Sequence, residues 1–441
     1  MTSDANVKSD VVVVGGGLAG LASAIHLARA GLTVTCLEPV ERFEQIVGES
    51  LDWSAPELFQ ELGFEMKDLV QAGIATYKRH VILQLADGSR AEYIPSDWLG
   101  RPPFNIELRT LHLDRVTLHQ ELQRLAEQSG VLFIHETAAT VEGNGKRIES
   151  ILTDSGNRYT AHWFVDASGS ASTFLGRQLD LPYTQYGPRK VGMWSYASVE
   201  DWQEGTILYG ENRKDEYFSW IWEIPIAPGK VSLGYVTSGA AIKHQRARGQ
   251  SVDDIFRLQL SKFARFDRVL SEGDFQTPAV RSFQCRDCRT ACGPNWVIVG
   301  EAAAVADPIT GNGVTAALRH AAEGSRLILK FLKQKKIPWY ARAMYNLRVS
   351  QMAKFFNSLI EKLAYGCTLR NRFGLLKTGD IYTALAWSLN HLYSRIRPNG
   401  IFTTAAFVTA LSTFRAMAWL MEQIVQRFPA GGPRLVPREA H

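Results

Sequence analysis

The sequence has little of what secreted, membrane-spanning or disulfide-linked proteins contain. Five cysteines among 441 residues are too few for a disulfide framework. The N-terminus does not have the pattern of a signal peptide, which is a basic start followed by a long apolar stretch and a small-residue cleavage site. We therefore expect no signal peptide and a cytoplasmic location. The best candidate for a membrane span, residues 401–414, is shorter than the roughly 20 apolar residues that cross a bilayer.

Signals for nucleic-acid binding and metal chemistry are also scarce. The net charge of +5 is small for this length, and no basic run is interleaved with aromatic residues, so nucleic acid is not expected as a partner. The ten histidines show no metal-binding spacing. Cys285, Cys288 and Cys292 have no fourth ligand nearby, which favours structural or incidental cysteines, and no metal is predicted.

Near the N-terminus, glycines form a G-x-G-x-x-G pattern between an apolar strand at 10–14 and an amphipathic helix at 18–29. This context predicts a βαβ dinucleotide site, where the glycines allow a tight turn, a close approach of the backbone to a pyrophosphate, and close helix–strand packing. The next strand ends at Glu38, an acceptor for ribose hydroxyls. The predicted contacts are Gly15, Gly17, Leu18, Ala19, Gly20 and Glu38.

Two later strand–turn segments decide between NAD and FAD. Residues 164–169 and 296–304 resemble motifs of the FAD-containing family that includes aromatic hydroxylases, geranylgeranyl reductases and flavin-dependent halogenases. The resemblance implies FAD, with Glu301 in the position of the family's ribityl-binding aspartate. It also implies that the loop 307–313 lies beside the isoalloxazine. The cofactor contacts predicted there are Glu301, Pro308, Gly311, Asn312 and Gly313.

The order of these segments predicts an α/β fold, in which an FAD-binding Rossmann-like domain is interleaved with a β-sheet substrate domain and followed by a C-terminal helical region. The FAD-binding domain is expected at 1–180, with inserted hairpins, and again at 291–338. The β-rich substrate domain is expected at 181–290 and the helical region at 339–441. Within this scheme, Thr110 to Gly130 has the periodicity of one amphipathic helix.

Three short segments resemble flavin-dependent halogenases more specifically. They are Gly-Glu-Ser at 48–50, the Ala-Thr-Tyr-Lys that ends at Lys78, and the W-x-W-x-I-P motif that begins at Trp220. In that family, reduced FAD, oxygen and halide yield hypohalous acid, which a lysine binds or converts to a haloamine. The resemblance implies that Lys78 has this role and that Trp220 and Trp222, on one face of a strand, separate the flavin from the substrate.

The same resemblance assigns further contacts. Glu49, Ser50 and Arg109 are expected at the flavin, and the backbone N–H groups of Asn312 and Gly313 are expected to bind halide. Each assignment has an ordinary structural alternative. Lys78 and Arg109 could be surface residues, and the two tryptophans could be core packing.

The predicted function is therefore FAD-dependent halogenation of an aromatic substrate, free or bound to a carrier protein. No second dinucleotide fingerprint is visible, which suggests that a separate flavin reductase supplies FADH2. The alternatives are an FAD-dependent monooxygenase, a geranylgeranyl-reductase-like flavoprotein, and a non-catalytic flavoprotein-fold escort. The loop Pro-Ile-Thr-Gly-Asn-Gly of this chain resembles the corresponding loop of geranylgeranyl-reductase-like flavoproteins. Thr310 stands where tryptophan halogenases have an acidic residue, which disfavours free tryptophan as the substrate.

The C-terminal segment 381–425 combines aromatic and apolar residues with scattered arginines. This composition suits a helical lid packed on the substrate domain, the interpretation that we favour. It also suits an interfacial helix that makes peripheral membrane contact.

Overall fold

The computed structural model describes residues 6–361 apart from 42–43, 54, 87, 89, 94–101, 103–108, 145, 203, 211–217 and 273–275, together with Tyr365 and five residues between 409 and 419. In chain order the strands are β1 (Asn6–Val14), β2 (Val34–Leu37), β3 (Ala75–Lys78), β4 (Val81–Leu85), β5 (Arg90–Tyr93), β6 (Thr110–Leu113), β7 (Leu132–Ile134), β8 (Ala138–Gly143), β9 (Ile148–Thr153), β10 (Arg158–Asp166), β11 (Tyr183–Ser198), β12 (Thr206–Gly210), β13 (Trp220–Ala227), β14 (Lys230–Ser238), β15 (Ala279–Cys288), β16 (Trp296–Ile298) and β17 (Ala304–Val305).

The helices are α1 (Leu18–Arg29), α2 (Ala55–Glu61), α3 (Met66–Gln71), α4 (Arg115–Gln128), α5 (Gly169–Ser172), α6 (Phe174–Gln178), α7 (Gly239–Ala247), α8 (Val252–Leu260), α9 (Asp267–Glu272), α10 (Gly300–Ala303), α11 (Gly313–Lys330) and α12 (Trp339–Ile360). Short 3-10 turns lie at Ala264–Phe266 and Pro308–Thr310.

The first sheet is built around five parallel strands in the order β7-β2-β1-β10-β16, and the hairpin β8-β9 extends it from the start of β10. The valines at 11–14 are buried, as a central parallel strand requires. Helix α1 packs against α4 and against α11 beside this sheet. The strand ends at residues 14 and 166 are neighbours in register, so the turns that follow them meet at one edge of the sheet.

The second sheet has eight strands in the order β17-β15-β11-β14-β13-β12-β4-β5. One face packs on α8 and the 3-10 turn after it, through residues such as Phe256 and Phe266. The other face carries Trp220 and Trp222 and is covered in part by Tyr365. The hairpin β4-β5 belongs to this sheet although it comes from the stretch 1–180, so the two parts interleave more closely than the predicted boundaries describe. The fold class is the one that the sequence predicts.

The single helix predicted over Thr110 to Gly130 is wrong at its beginning. Thr110–Leu113 is strand β6, paired antiparallel with β3, and all four of its residues are buried. A strand buried on both faces loses the alternation that distinguishes it from a helix. Helix α4 begins only at Arg115, where the side chain of Asp114 accepts hydrogen bonds from the next backbone N–H groups.

Helix α12 begins at Trp339, where the sequence predicts the helical region. Among the described residues, no helix combines the length and the hydropathy of a membrane span. The predicted lid or interfacial helix at 381–425 falls almost entirely outside the described residues. That assignment, the peripheral membrane contact and the cytoplasmic location stay predictions.

Candidate active site

The turn after β1 leaves room for a pyrophosphate at the start of α1. Gly15 has φ +98°, and a Cβ there would lie 2.5 Å from the carbonyl oxygen of Ala167. A Cβ at Gly20 would lie 1.8 Å from the carbonyl oxygen of Gly15, so helix and turn are in direct backbone contact. At Gly17 a Cβ would meet no described atom within 4 Å. No described side chain caps the N–H groups at the start of α1, around Leu18 and Ala19, which suits a phosphate ligand.

Glu38 closes the same turn from the end of β2. Its Oε2 accepts a hydrogen bond from the backbone N–H of Gly16 at 2.6 Å, and Oε1 accepts one from Val40 at 3.0 Å. The carboxylate is therefore oriented at the mouth of the glycine turn, where a ribose would lie. FAD is the dinucleotide that fits this turn together with the flavin-side segments described next.

The second FAD motif lies directly over the first. Gly300 has φ +60°, and a Cβ there would approach the Cβ of Ala19 to 2.7 Å. Glu301, at the start of α10, accepts hydrogen bonds from Ser170 at 2.8 Å and from Arg281 at 3.0 Å. Arg281 was not anticipated from the sequence, because it comes from β15 of the other sheet.

We call residues 307–313 the flavin loop. Gly311 has φ +64°, and a Cβ there would lie 2.5 Å from the carbonyl oxygen of Ser50. Gly48, with φ +108°, lies so close to Val314 that a Cβ would approach that side chain to 3.3 Å. The Gly-Glu-Ser segment therefore packs on the flavin loop, and two motifs that are far apart in sequence form one wall.

Replacing Gly311 with alanine is expected to destabilise the protein by about 2–4 kcal/mol, because the positive φ and the contact with Ser50 both penalise a Cβ. Gly249→Ala is the matched control, since its φ is +82° and a Cβ there would meet no described atom within 4 Å. Urea denaturation measures both variants. Equal losses would show that backbone conformation alone matters at Gly311.

The end of the flavin loop offers backbone donors at the start of α11. Asn312 is buried at the N-cap position, and at Gly313 a Cβ would meet no described atom within 4 Å. Before them, Pro308 opens a 3-10 turn in which Ile309 N–H donates to Asp307 at 3.1 Å. The halide contact predicted for Asn312 and Gly313 has suitable donor groups here and stays a prediction.

Lys78 is a buried amine and not a surface residue. Its side chain lies at the end of β3, and the residue is 4% exposed. Nζ donates to Ser50 Oγ at 2.9 Å and to the carbonyl oxygen of Leu51 at 2.8 Å, and it lies 5.1 Å from the centre of the Trp53 ring. Burial lowers the pKa of Lys78 to about 8, against a smaller opposing effect of Asp52.

The two tryptophans form one apolar wall. Their ring centres are 5.7 Å apart, tilted by 47°, and both residues are nearly fully buried. Trp222 Nε1 donates to Ser232 Oγ at 3.0 Å, and Ser232 Oγ donates to Glu49 at 2.8 Å. Gly234 stands opposite Trp222, and its missing side chain makes room for the indole. Burial raises the pKa of Glu49, whose other oxygen accepts from the Gly48 N–H at 2.7 Å.

A buried charged cluster ties this wall to the flavin loop. Trp220 Nε1 donates to the Tyr365 hydroxyl at 3.1 Å, which donates to Asp307 at 3.1 Å. Lys190 Nζ donates to Asp307 at 2.8 Å and also to Glu361. Burial is the largest single effect and opposes the charge on Lys190, but Asp307, Cys285 and Glu361 together outweigh it and raise the pKa of the lysine. Sequence reasoning did not identify this cluster.

Arg109 and Arg115 differ in their surroundings. Arg109 is exposed just before β6, with its guanidinium 6.0 Å from the centre of the Tyr77 ring. Arg115 is 5% exposed and donates to the Gly48 carbonyl oxygen at 3.2 Å, beside Glu49. Arg115 thus contacts the Gly-Glu-Ser segment, and nothing in the sequence distinguishes it from a solvated arginine. The flavin contact predicted for Arg109 stays untested.

The three cysteines at 285–292 have separate partners. The Cys285 thiol donates to Asp307 at 3.7 Å, Cys288 donates to the Thr290 carbonyl oxygen at 3.2 Å, and Cys292 donates to the carbonyl oxygen of the next residue, Gly293, at 3.6 Å. Within the described part of the chain, no three His, Cys, Asp or Glu side chains are grouped as a metal site.

Comparison with known proteins agrees with this geometry. The Tryptophan halogenase family model matches residues 105–422, and the Lycopene cyclase protein model matches 10–188. Tryptophan 2-halogenase of Chondromyces crocatus is 29% identical over 71% of this chain, and the match spans 60% of that protein's length. A 1H-pyrrole-2-carbonyl-[peptidyl-carrier protein] brominase of Pseudoalteromonas luteoviolacea is 26% identical over 75% of this chain and 80% of its own.

A reductase is among the relatives too. Menaquinone reductase of Mycolicibacterium smegmatis is 27% identical over 82% of this chain and 86% of its own. The solved structure of a flavin-dependent brominase has a TM-score of 0.67 with 19% identity, covering 93% of this chain and all of that one, which confirms the fold. The halogenase resemblance and the FAD cofactor inferred from the motifs are confirmed. The Tryptophan halogenase family model matches more than half of the residues of this chain, and the chain therefore belongs to the tryptophan halogenase family of FAD-dependent enzymes.

Proposed function

We propose that the protein is a flavin-dependent halogenase that acts on an electron-rich aromatic ring, and that this ring is presented on a carrier protein. The observation that carries the proposal is the buried amine of Lys78, held beside the Gly-Glu-Ser segment that packs on the flavin loop. An amine with a pKa of about 8 is partly neutral at physiological pH and can react with an oxidised halogen species.

Residues of this chain would hold FAD along one continuous path. The turn at 15–20 would bind the pyrophosphate, Glu38 the ribose, Glu301 the ribityl chain, and the flavin loop the isoalloxazine. When bound and reduced, FAD supplies hypohalous acid from oxygen and halide. Trp220 and Trp222 would exclude large molecules from the flavin side, because both indoles are fixed by hydrogen bonds through their N–H groups.

The choice of substrate rests on two observations. Relatives that halogenate a pyrrole on a peptidyl carrier protein align with about three quarters of this chain. Thr310 replaces the acidic residue that the family resemblance associates with free tryptophan. Reduced flavin would come from a separate reductase, as the lack of a second dinucleotide fingerprint suggests.

The decisive experiment is a turnover assay with FADH2, oxygen and either bromide or chloride. Mass spectrometry would follow free phenol, indole and pyrrole beside a pyrrole thioester on a carrier protein. Halogenation of the carrier-bound ring above all others is expected. Halogenation of free rings alone would reject the carrier proposal, and no halogenated product from any ring would reject the halogenase proposal.

In the same assay, Lys78→Ala is expected to lose halogenation while the enzyme still oxidises FADH2 and releases hydrogen peroxide, because the amine acts after the flavin. Lys243→Ala, at an exposed position on α7, is the matched control and should behave as wild type. Full halogenation by the Lys78 variant would contradict the role of the amine. Loss of peroxide as well would instead place Lys78 in flavin binding.

A reductase is the second candidate, favoured by the menaquinone reductase relatives and by the Pro-Ile-Thr-Gly-Asn-Gly loop. A reductase would transfer electrons from bound FADH2 to a quinone or an alkene without oxygen. Anaerobic mixing of the reduced enzyme with a menaquinone analogue therefore separates the two functions. Rapid flavin reoxidation there, with no halogenation in air, would favour the reductase.

A further inference from the structure

A line of buried hydroxyl and imidazole groups runs inward from Lys78. Its Nζ contacts Ser50 Oγ at 2.9 Å, Ser50 Oγ contacts Thr206 Oγ1 at 2.9 Å, and Thr206 Oγ1 contacts His112 Nε2 at 2.9 Å. On the far side of the ring, His112 Nδ1 contacts Thr76 Oγ1 at 3.4 Å. Every residue in the line is at least nine-tenths buried, and His112 is fully buried.

The contacts of Thr76, at the end of the line, determine the direction of all the hydrogen bonds. Thr76 Oγ1 also contacts the carbonyl oxygen of Pro225, the proline of the W-x-W-x-I-P motif. A carbonyl oxygen can only accept, so the Thr76 hydroxyl donates to it and accepts from His112 Nδ1–H. His112 Nε2 is then unprotonated and accepts from Thr206.

The same logic continues to the lysine. Thr206 has one hydroxyl hydrogen, which it donates to His112, so it accepts from Ser50. Ser50 in turn accepts from Lys78. The carbonyl oxygen of Leu51 accepts a second Lys78 hydrogen. Two of the three hydrogens of the ammonium are therefore donated to Ser50 and to Leu51, and these two bonds fix the direction of the third.

We propose that His112 is a positioning residue and proton acceptor for Lys78, acting through Thr206 and Ser50. This inference rests on the proposed function, because it assigns the relay to the amine that receives the oxidised halogen. At rest the hydrogen-bonded line fixes the orientation of the ammonium. During turnover it removes one proton and leaves a neutral amine.

The proton balance of that step is simple. Lys78 gives a proton to Ser50 Oγ, Ser50 gives its own to Thr206, and Thr206 gives its own to His112 Nε2, so that lysine becomes an amine and histidine an imidazolium. The amine then reacts with hypohalous acid to form a haloamine and water. Halogen transfer from the haloamine to the aromatic carbon gives the halogenated ring and the neutral amine, and the proton held on His112 then returns through Thr206 and Ser50 to restore the ammonium.

Electrostatics keep the imidazolium short-lived. Burial and then the charge of Lys78 lower the pKa of His112 well below its ordinary value. Once the lysine has lost its proton, that repulsion is gone and the transfer becomes less unfavourable. The ring therefore accepts the proton only while the amine reacts.

Thr206→Val interrupts the relay without a large change in volume, and Thr206→Ser keeps the hydroxyl. We expect the valine variant to lose about tenfold to hundredfold in halogenated product per FADH2, with peroxide taking up the difference, as for other positioned proton-transfer groups. The serine variant should stay within about twofold of wild type. Thr237→Val is the control, because Thr237 is buried in the same sheet and its hydroxyl pairs at 2.7 Å with that of Ser219, which is half-buried.

A second measurement does not need activity. In protein labelled with 15N-histidine, we expect the His112 ring to carry its proton on Nδ1, with His112→Gln used to assign the signal. An Nε2–H ring would overturn the proposed direction of the relay. If wild type halogenates, Lys78→Ala does not, and Thr206→Val matches wild type, the relay is rejected while the proposed function stands. If wild type fails to halogenate, the proposed function fails, and with it the catalytic role of the relay.

Discussion

Replacing Lys78 with methionine is expected to abolish halogenation and, at pH 7, to raise the free energy of unfolding of the flavin-free protein. The folded protein holds the pKa of this amine at about 8, against 10.5 for an ordinary lysine. That difference corresponds to a destabilisation of up to about 3 kcal/mol at neutral pH. Methionine removes the buried charge but leaves the Leu51 carbonyl oxygen without its donor, at a cost of about 1 kcal/mol. A net gain of about 2 kcal/mol is expected.

The pH dependence of this gain has a definite sign. Between pH 8 and 10.5 the unfolded wild-type protein binds more protons at Lys78 than the folded protein does, so wild-type stability rises with pH across that window. The advantage of the methionine variant should therefore be largest below pH 8 and disappear within this window, and above pH 10.5 the variant should be about 1 kcal/mol less stable than wild type, because only the lost hydrogen bond to Leu51 remains. Urea denaturation at pH 7, 9 and 10.5 measures it.

Lys243→Met, at an exposed position, is the matched control and should show no such trend. A Lys78→Met variant that is less stable than wild type at pH 7 would show that the hydrogen bonds of the amine outweigh the burial of its charge. A stabilised but inactive variant would identify a residue retained for chemistry and not for folding.

Local signals in the sequence predicted the parts of the site that depend on neighbouring residues. The glycine turn, Glu38 directly after β2, and the loop 307–313 before α11 each lie within one strand–turn–helix unit. Short-range geometry dictates the residue types in such units. The same holds for the W-x-W spacing, which places two indoles on one face of β13.

The remainder depends on pairing between distant segments. The contact between Gly311 and Ser50, and the line from Lys78 to His112, require the register of β3 on β6 and the position of β12 beside them. No periodicity in the sequence encodes that register. Thr110–Leu113 gave a misleading signal because a strand buried on both faces has the same apolar character as a buried helix turn.

Buried polar partners were missed for a related reason. In the sequence, Arg115 and Lys190 look like any other cation, and most such residues are solvated. Only the fold places Arg115 on Gly48 and Lys190 on Asp307. Functional motifs were visible in this chain, whereas the charged and hydroxyl groups that orient them were not.

The glycines of the first turn separate cofactor binding from folding. Gly17→Val is expected to weaken FAD binding by a factor on the order of 100 or more, because the side chain would occupy the space that a pyrophosphate must approach. Gly17 has φ −66° and ψ −179°, an extended conformation open to any residue, and its Cβ would meet no described atom within 4 Å. The flavin-free variant should therefore unfold within about 0.5 kcal/mol of wild type.

Gly20→Ala is the contrasting variant, because Gly20 belongs to the same glycine motif but has no room for a side chain within the fold. Its Cβ would lie 1.8 Å from the carbonyl oxygen of Gly15, which is backbone and cannot rotate away. This variant should lose about 3 kcal/mol or more of stability before any ligand is considered. Calorimetric titration with FAD and urea denaturation without FAD, on both variants, distinguish the two effects. If Gly17→Val binds FAD as wild type does, the pyrophosphate does not lie over that residue. If Gly17→Val is destabilised as much as Gly20→Ala, a side chain at Gly17 disturbs the fold itself, and its effect on FAD binding is not specific to the ligand.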